Sequence, residues 1–243
     1  MTEEFRVIRT RGLTMRFGGV TAVDKVDFEL EDGELRCLLG PNGAGKSTFF
    51  KCLTGQLTPT EGTIEFRGER IEGLNTHEIV NLGVGIKTQV PNLFNGLTAY
   101  ENVRLAARRR HLKPQAAETA ERMLERCGVQ DLAKREVGLL SHGQRQLVEL
   151  AMVLAAEPSL VLLDEPAAGM TGEERDRLAR LVTEIAGTAT VVVVEHDMQF
   201  IRQIARKVTV FHRGAVFAEA PVDEIMRNPA VQQIYLGKSA DAA

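Results

Sequence analysis

Two kinds of apolar pattern run along the chain. Val26, Phe28 and Leu30 alternate with Asp27 and Glu29, and Ile64 and Phe66 alternate with Glu65 and Arg67. That is the period of strands buried on one face, and together with Phe5 to Arg9 these segments predict an antiparallel layer. By contrast, Leu160-Val161-Leu162-Leu163 and Thr190-Val191-Val192-Val193-Val194 are almost continuously apolar. Such runs fit strands covered on both faces by helices, so they read as the central strands of a parallel sheet. Between them Leu178, Leu181, Val182 and Ile185 fall at i, i+3, i+4 and i+7, which predicts a crossover helix ending near Gly187 and so a βαβ unit.

From Thr98 to about Ala156 strand signals vanish. Ala116, Ala120, Met123, Leu124 and Cys127 form one helical stripe that Gly128 terminates, and a helical lobe inserted into the α/β core is expected there. Val208 to Phe211 and Ala215 to Ala218 flank His212-Arg213-Gly214, a hairpin pattern. Short helical pieces broken at Asn228-Pro229 follow, and the tail after Gly237 reads as frayed.

Composition narrows the class. At 243 residues the chain suffices for one large domain, and thirty basic against thirty-three acidic residues give a formal charge of -3. The strongest block of like charge is Arg108-Arg109-Arg110-His111, read as a solvated helix face, so no nucleic-acid surface is expected. Cys37, Cys52 and Cys127 sit in apolar patterns and read as core residues of a reducing compartment. Met1 to Arg11 lacks the apolar core of a signal peptide, and no run reaches the roughly eighteen apolar residues of a membrane span, so any membrane role is expected to be peripheral.

The chemistry concentrates at a few turns. Gly40-Pro41-Asn42-Gly43-Ala44-Gly45-Lys46-Ser47-Thr48 fits G-x-x-x-x-G-K-[ST], between the apolar run Leu35 to Leu39 and a helical segment. Its glycines let successive N–H groups face an anion, Lys46 reaches terminal phosphates, and Ser47 offers a hydroxyl to Mg²⁺, so a nucleoside triphosphate is the expected ligand. Asp164-Glu165 emerge where the run 160–163 ends, the edge at which open α/β sheets bind ligands. Asp164 is assigned to the metal and Glu165 to the attacking water. His196 leaves the neighbouring central strand at the same edge, placed to contact the γ-phosphate and water. Leu140-Ser141-His142-Gly143-Gln144 opens an apolar helix with Ser141 as N-cap, a second anion-binding helix start. One triphosphate hardly needs two such sites from one chain, so joint use implies a second subunit.

Together these residues resemble the ATP-binding subunits of ABC transporters over nearly the whole chain. Gly40 to Thr48 is similar to the Walker A motif, Gln89 to the Q-loop glutamine, Leu140 to Gln144 to the family signature, Leu160 to Glu165 to Walker B with its catalytic glutamate, and His196 to the switch histidine. The resemblance implies an α/β phosphate-loop core with an antiparallel β layer, about residues 1–97 and 157–220, a helical lobe over about 98–156, and short helices over 221–237 of one 243-residue domain. It implies ATP and Mg²⁺ as cofactors. It further implies that Phe17, followed by Val23, meets adenine; that Asn42, Gly43, Gly45, Lys46, Ser47 and Thr48 hold the nucleotide; and that Ser47, Gln89 and Asp164 serve the metal. Glu165, His196 and Gln89 would be catalytic, and Ser141, Gly143 and Gln144 would serve the nucleotide of a head-to-tail partner. Phe17 equally fits a core position of its strand.

The resemblance also implies membrane-embedded permease subunits contacted around Gln89 to Phe94 and Tyr100, an extracytoplasmic binding protein, and a place on the cytoplasmic face of the membrane. Within the family, Gly33 to Cys37, Ala168-Gly169-Met170-Thr171, Val194 to Met198 and Tyr235-Leu236-Gly237 resemble importers of branched-chain amino acids, urea and short amides, the first two leaning to the urea type. His142 and Lys87-Thr88-Gln89-Val90 depart from the common patterns. A soluble cassette acting on DNA or ribosomes is the alternative, yet only about fifty residues separate Gln89 from Ser141, too few for the long coiled coil of such proteins. A GTPase would need an Asn-Lys-x-Asp element, which the chain lacks, and a catalytically dead module would need Lys46 or Glu165 altered.

Overall fold

A computed structural model describes residues 6–236, in which two sheets share one body with a helical lobe. The larger sheet has the order β10-β9-β3-β8-β7-β6, built from β3 (Leu35–Leu39), β6 (Val84–Lys87), β7 (Leu160–Asp164), β8 (Thr190–Val194), β9 (Lys207–His212) and β10 (Ala215–Pro221). All its pairings are parallel except the β9–β10 hairpin. The smaller, antiparallel sheet has the order β2-β1-β4-β5, from β1 (Arg6–Phe17), β2 (Val20–Glu31), β4 (Glu61–Phe66) and β5 (Glu69–Arg70). Phe5 and the tail from Gly237 lie outside the described residues.

The apolar runs explain how these layers stack. In β7, Leu160 and Leu162 join the core beneath the antiparallel sheet and α1 (Lys46–Leu53), whereas Val161 and Leu163 join the core under the lobe. In β8, Val192 and Val194 face the first core and Val191 and Val193 the second. A strand buried on both faces favours apolar side chains at successive positions, which is why the two runs read almost continuously. Phe28, Phe49 and Phe211 anchor the first core, with ring centroids 5.4 Å apart for Phe28 and Phe49 and 5.2 Å for Phe49 and Phe211.

The lobe consists of α3 (Ala99–Ala107), α4 (Lys113–Arg126) and α5 (His142–Leu154), and α5 packs against α3, α4 and β6. The predicted stripe Ala116 to Cys127 is buried along α4. The crossover α6 (Gly172–Ala186) ends at Gly187 as the spacing requires. After β8 come α7 (Met198–Ile204) and, past the hairpin, α8 (Val222–Arg227) and α9 (Pro229–Leu236). Two expectations change. Arg108 caps the end of α3 and Arg109 to His111 form the following turn, so the basic block is no helix face. Short α2 (Thr76–Asn81) and β6 have no counterpart in the sequence reading, because Gly83 and Gly85 obscure the apolar period of a four-residue strand.

Candidate functional site

The sheet order brings the candidate residues to one edge. Leu38 and Asp164 both pair with Val194, and Lys87 pairs with Leu163, so the carboxyl ends of β3, β8, β7 and β6 are level. In that order they deliver the phosphate loop, His196, Asp164-Glu165 and Gln89 to the same edge.

The phosphate loop is shaped by contacts that only glycine allows. A Cβ on Gly40 would lie 2.4 Å from the Phe211 carbonyl oxygen, and one on Gly45, whose φ is 101°, would lie 2.4 Å from that of Ala22. Gly45 is the N-cap of α1 without a side-chain cap, and the first turn holds no acidic residue. A helix start in that state presents backbone donors and a positive end to an anion, so the cradle fits a triphosphate. Buried Lys46 curls along the loop, its Nζ donating to the Gly40 carbonyl at 2.6 Å and the Pro41 carbonyl at 3.1 Å. Asn42, Gly43 and Ser47 are exposed, and Thr48 is half-buried in the first turn of α1.

Asp164 is 8% exposed, and its Oδ1 is buried without a hydrogen-bond partner. Burial foremost, then the charge of Glu165, pushes its carboxyl up to about 6 against the pull of Lys87, Lys51 and Lys46. A cation there relieves both penalties. Among the described residues no group of three His, Cys, Asp or Glu side chains gathers to hold a metal. One carboxylate and the Ser47 hydroxyl, completed by substrate phosphates and water, match the habits of Mg²⁺.

Glu165 sits at a non-glycine φ of 43°, a sparsely populated conformation that turns its side chain out of the strand line. Gln89 Nε2 donates to Glu165 Oε2 at 2.9 Å, and His196 Nδ1 lies 3.5 Å from Glu165 Oε1. The three residues assigned to hydrolysis therefore meet around one carboxylate. Sequence reasoning gave no role to Glu195, which is 2% exposed and accepts from the N–H groups of Ala167 (3.1 Å), His196 (3.0 Å) and Asp197 (3.4 Å). It ties the loop after β8 to the loop after β7. Burial raises its carboxyl, and these three donors pull it back.

The adenine assignments divide. Phe17 is 48% exposed and pairs with Val20, two residues along β2 from the Ala22 that touches the phosphate loop, so its ring is available at the rim. Val23 is 0% exposed and belongs to the core with Phe28 and Phe49. Its assignment to the base is thus corrected: a register shift at Lys25, whose φ is 47°, breaks the alternation of β2 and turns position 23 inward.

At the start of α5 Ser141 forms the predicted cap, its Oγ accepting from Gln144 N–H at 3.3 Å while Gln144 Oε1 accepts from Ser141 N–H at 3.0 Å. A Cβ on Gly143 would lie 2.6 Å from the Glu174 carboxylate. Three polar side chains that the sequence left unassigned lie behind this motif. Lys87 (0% exposed) and Glu149 (2%) pair at 3.7 Å, and Gln146 is buried beside them. Burial lowers Lys87 and raises Glu149, each opposed by the other's charge. The available signal was a charged residue interrupting the apolar run 147–156. Between core and lobe runs a cleft of about 780 Å³, lined by Asp164, Gln89, Val90, Pro91 and Glu149 among others.

Comparison with known proteins gives the family. A family model described as ABC transporter matches residues 23–168. The high-affinity branched-chain amino acid transport ATP-binding protein BraF of Pseudomonas aeruginosa is 37% identical over 96% of this chain and 98% of its own. The ADP conformation of MJ1267, an ATP-binding cassette of an ABC transporter, superposes with a TM-score of 0.85 at 26% identity, covering 96% of this chain and 99% of that one. MJ0796, a cassette solved as a dimer in a post-hydrolysis state with ADP and Pi, gives 0.81 at 25% identity over 88% of this chain and 98% of its own. Matched by the family model over more than half its length and by a full-length relative at 37% identity, this chain belongs to the ABC transporter family as an ATP-binding subunit, and it is an ATPase.

Proposed function

We propose that the chain powers a solute importer, working in a head-to-tail pair of cassettes in which each phosphate loop faces the partner's Ser141 and Gly143. The observation that supports this most is separation: α1, at the phosphate loop, packs against β2, β7 and β8, whereas α5, at the signature, packs against the lobe and β6. Two anion-binding helix starts in different neighbourhoods of one chain are used together when a second chain supplies the other half. MJ0796, solved as a dimer bound to ADP and Pi, supports a pair of cassettes.

In this reading Asn42, Gly43, Gly45, Lys46, Ser47 and Thr48 hold the triphosphate, and Phe17 stacks on the base. Lys46 screens the terminal phosphates, where negative charge concentrates during transfer. Ser47 and Asp164, with Gln89 nearby, would hold Mg²⁺, which when bound neutralises phosphate charge. Glu165 orients the water and takes up its proton, steadied by the Gln89 amide and the His196 ring. Gln144 braces the cap that fixes Ser141 toward the partner.

The solute class is branched-chain amino acids, supported by the 37% identity to BraF along nearly the full length of both chains. Ala168-Gly169-Met170-Thr171 supports urea or a short amide as the second reading. Val90 (76% exposed) and Phe94 (61%) on the Gln89 segment, with half-buried Tyr100, are the apolar surface proposed for the permease subunits. No helix among the described residues is long and apolar enough to cross a membrane. In this reading the cassette lies on the cytoplasmic face, the permease subunits span the membrane and a binding protein works outside. Uptake of labelled leucine and urea in a strain lacking the gene tests the assignment. Loss of leucine uptake is expected; intact leucine uptake with lost urea uptake favours the second reading, and both intact would refute the importer.

A further inference from the structure

Polar side chains along one side of the signature helix face one segment, with Gln146 and Glu149 buried and His142 exposed. His142, Gln146 and Glu149 lie at i, i+4 and i+7 on α5, on the side that meets the strand β6 and the chain leaving it. Gln146 Nε2 donates to the Gln89 carbonyl at 3.1 Å and lies 3.0 Å from His142 Nε2. Glu149 Oε1 accepts from Asn92 N–H at 2.8 Å, and its other oxygen faces Lys87. The Gln89 side chain in turn reaches Glu165.

The hydrogen-bond roles are determined by elimination. A carbonyl only accepts, so the Gln146 amide must turn its nitrogen to Gln89. The same nitrogen then points its second proton at His142, whose Nε2 has to accept. The Gln146 amide oxygen is left buried without a partner, although the residue is 1% exposed. A buried amide with an unsatisfied oxygen is a poor way to fill a core. It is a good way to hold a backbone carbonyl.

We propose that Gln146 and Glu149 are positioning residues for ATP hydrolysis: from one face of the signature helix they fix the Gln89 carbonyl and the Asn92 amide, so that the Gln89 side chain stands on Glu165, with His142 orienting Gln146. This rests on the roles given above to Gln89 and Glu165. One rigid helix then carries both the motif offered to the partner's nucleotide and the grip on its own chain's hydrolytic carboxylate.

Steady-state ATPase kinetics of the full-length protein test it. Gln146→Met keeps the volume and removes the donors, and kcat should fall roughly 10- to 100-fold while KM for ATP stays within about 2-fold, as expected when a reacting group is misplaced and not when binding is lost. In a Gln89→Ala background the same substitution should cost less than about 2-fold more, because its effect passes through the missing side chain. His142→Leu should lower kcat, and His142→Gln, which keeps an acceptor, should restore it. This second pair carries the test if Gln146→Met does not fold. Wild-type turnover of Gln146→Met, an equal cost with and without the Gln89 side chain, or a His142→Leu variant as fast as His142→Gln would overturn the proposal. Full turnover by Gln89→Ala and Glu165→Gln themselves would instead remove the reading on which it rests.

Discussion

Glu165 is the residue proposed to carry the chemistry, because Gln89 and His196 both turn to it and its backbone holds an unusual conformation beside them. Glu165→Gln should bind ATP normally while turnover falls by at least about 100-fold, measured as nucleotide affinity against steady-state rate. Near wild-type hydrolysis would remove Glu165 from the role. Lys46→Ala should weaken ATP binding by about 10-fold or more, read by titration, since a charge-assisted contact to phosphate is lost. Gly45→Ala puts a methyl 2.4 Å from the Ala22 carbonyl at a φ of 101° and should destabilise the fold by about 1–3 kcal/mol while weakening nucleotide binding. These residues were legible in the sequence because each sits in a motif at the end of an apolar run. Val23 misled because a residue beside a functional strand end can still face the core, and Gln146 because its partner is a backbone carbonyl fifty-seven positions away, which no local pattern encodes.

Helix ends and strand pairs set how these residues are presented. Thr98 caps α3 through a reciprocal pair with Glu101, and Thr98→Ala should cost the lobe about 1 kcal/mol, seen as a melting point lower by roughly 2–4 °C. On the floor of the parallel sheet Arg36, 1% exposed, pairs with Glu34 and Glu219 below the phosphate loop. Burial alone would raise the Glu219 carboxyl, but the Lys207 hydrogen bond, the Arg36 charge and the Thr209 hydroxyl outweigh it and hold the group below its usual range. A depressed folded value contributes stability above the ordinary carboxyl value and loses it as pH falls through the folded one. Glu219→Gln should therefore be less stable than wild type by about 1–3 kcal/mol at pH 7, with the gap closing below about pH 4.5, as denaturant melts at both pH values would show. A gap independent of pH would contradict this. The continuous runs of β7 and β8 and the stripe of α4 were readable because burial on two faces, or on one helical face, leaves a period; β6 and the turn of Arg109 and Arg110 leave none.

At the scale of the whole molecule, one chain offers a phosphate loop on its core and a capped signature on its lobe, and in the proposed pair two chains complete each nucleotide site. Complementation between variants measures that directly. Lys46→Ala spoils one chain's phosphate loop, and Ser141→Arg spoils the other's signature; each alone should be nearly inactive. Mixed, they form pairs in which one composite site joins the intact loop of the second chain to the intact signature of the first. ATPase activity should reappear well above that of either variant alone, at roughly a quarter of wild type when random pairing gives half mixed dimers with one working site each. A mixture no more active than its components, or a Ser141→Arg chain that hydrolyses at full rate on its own, would contradict the composite site.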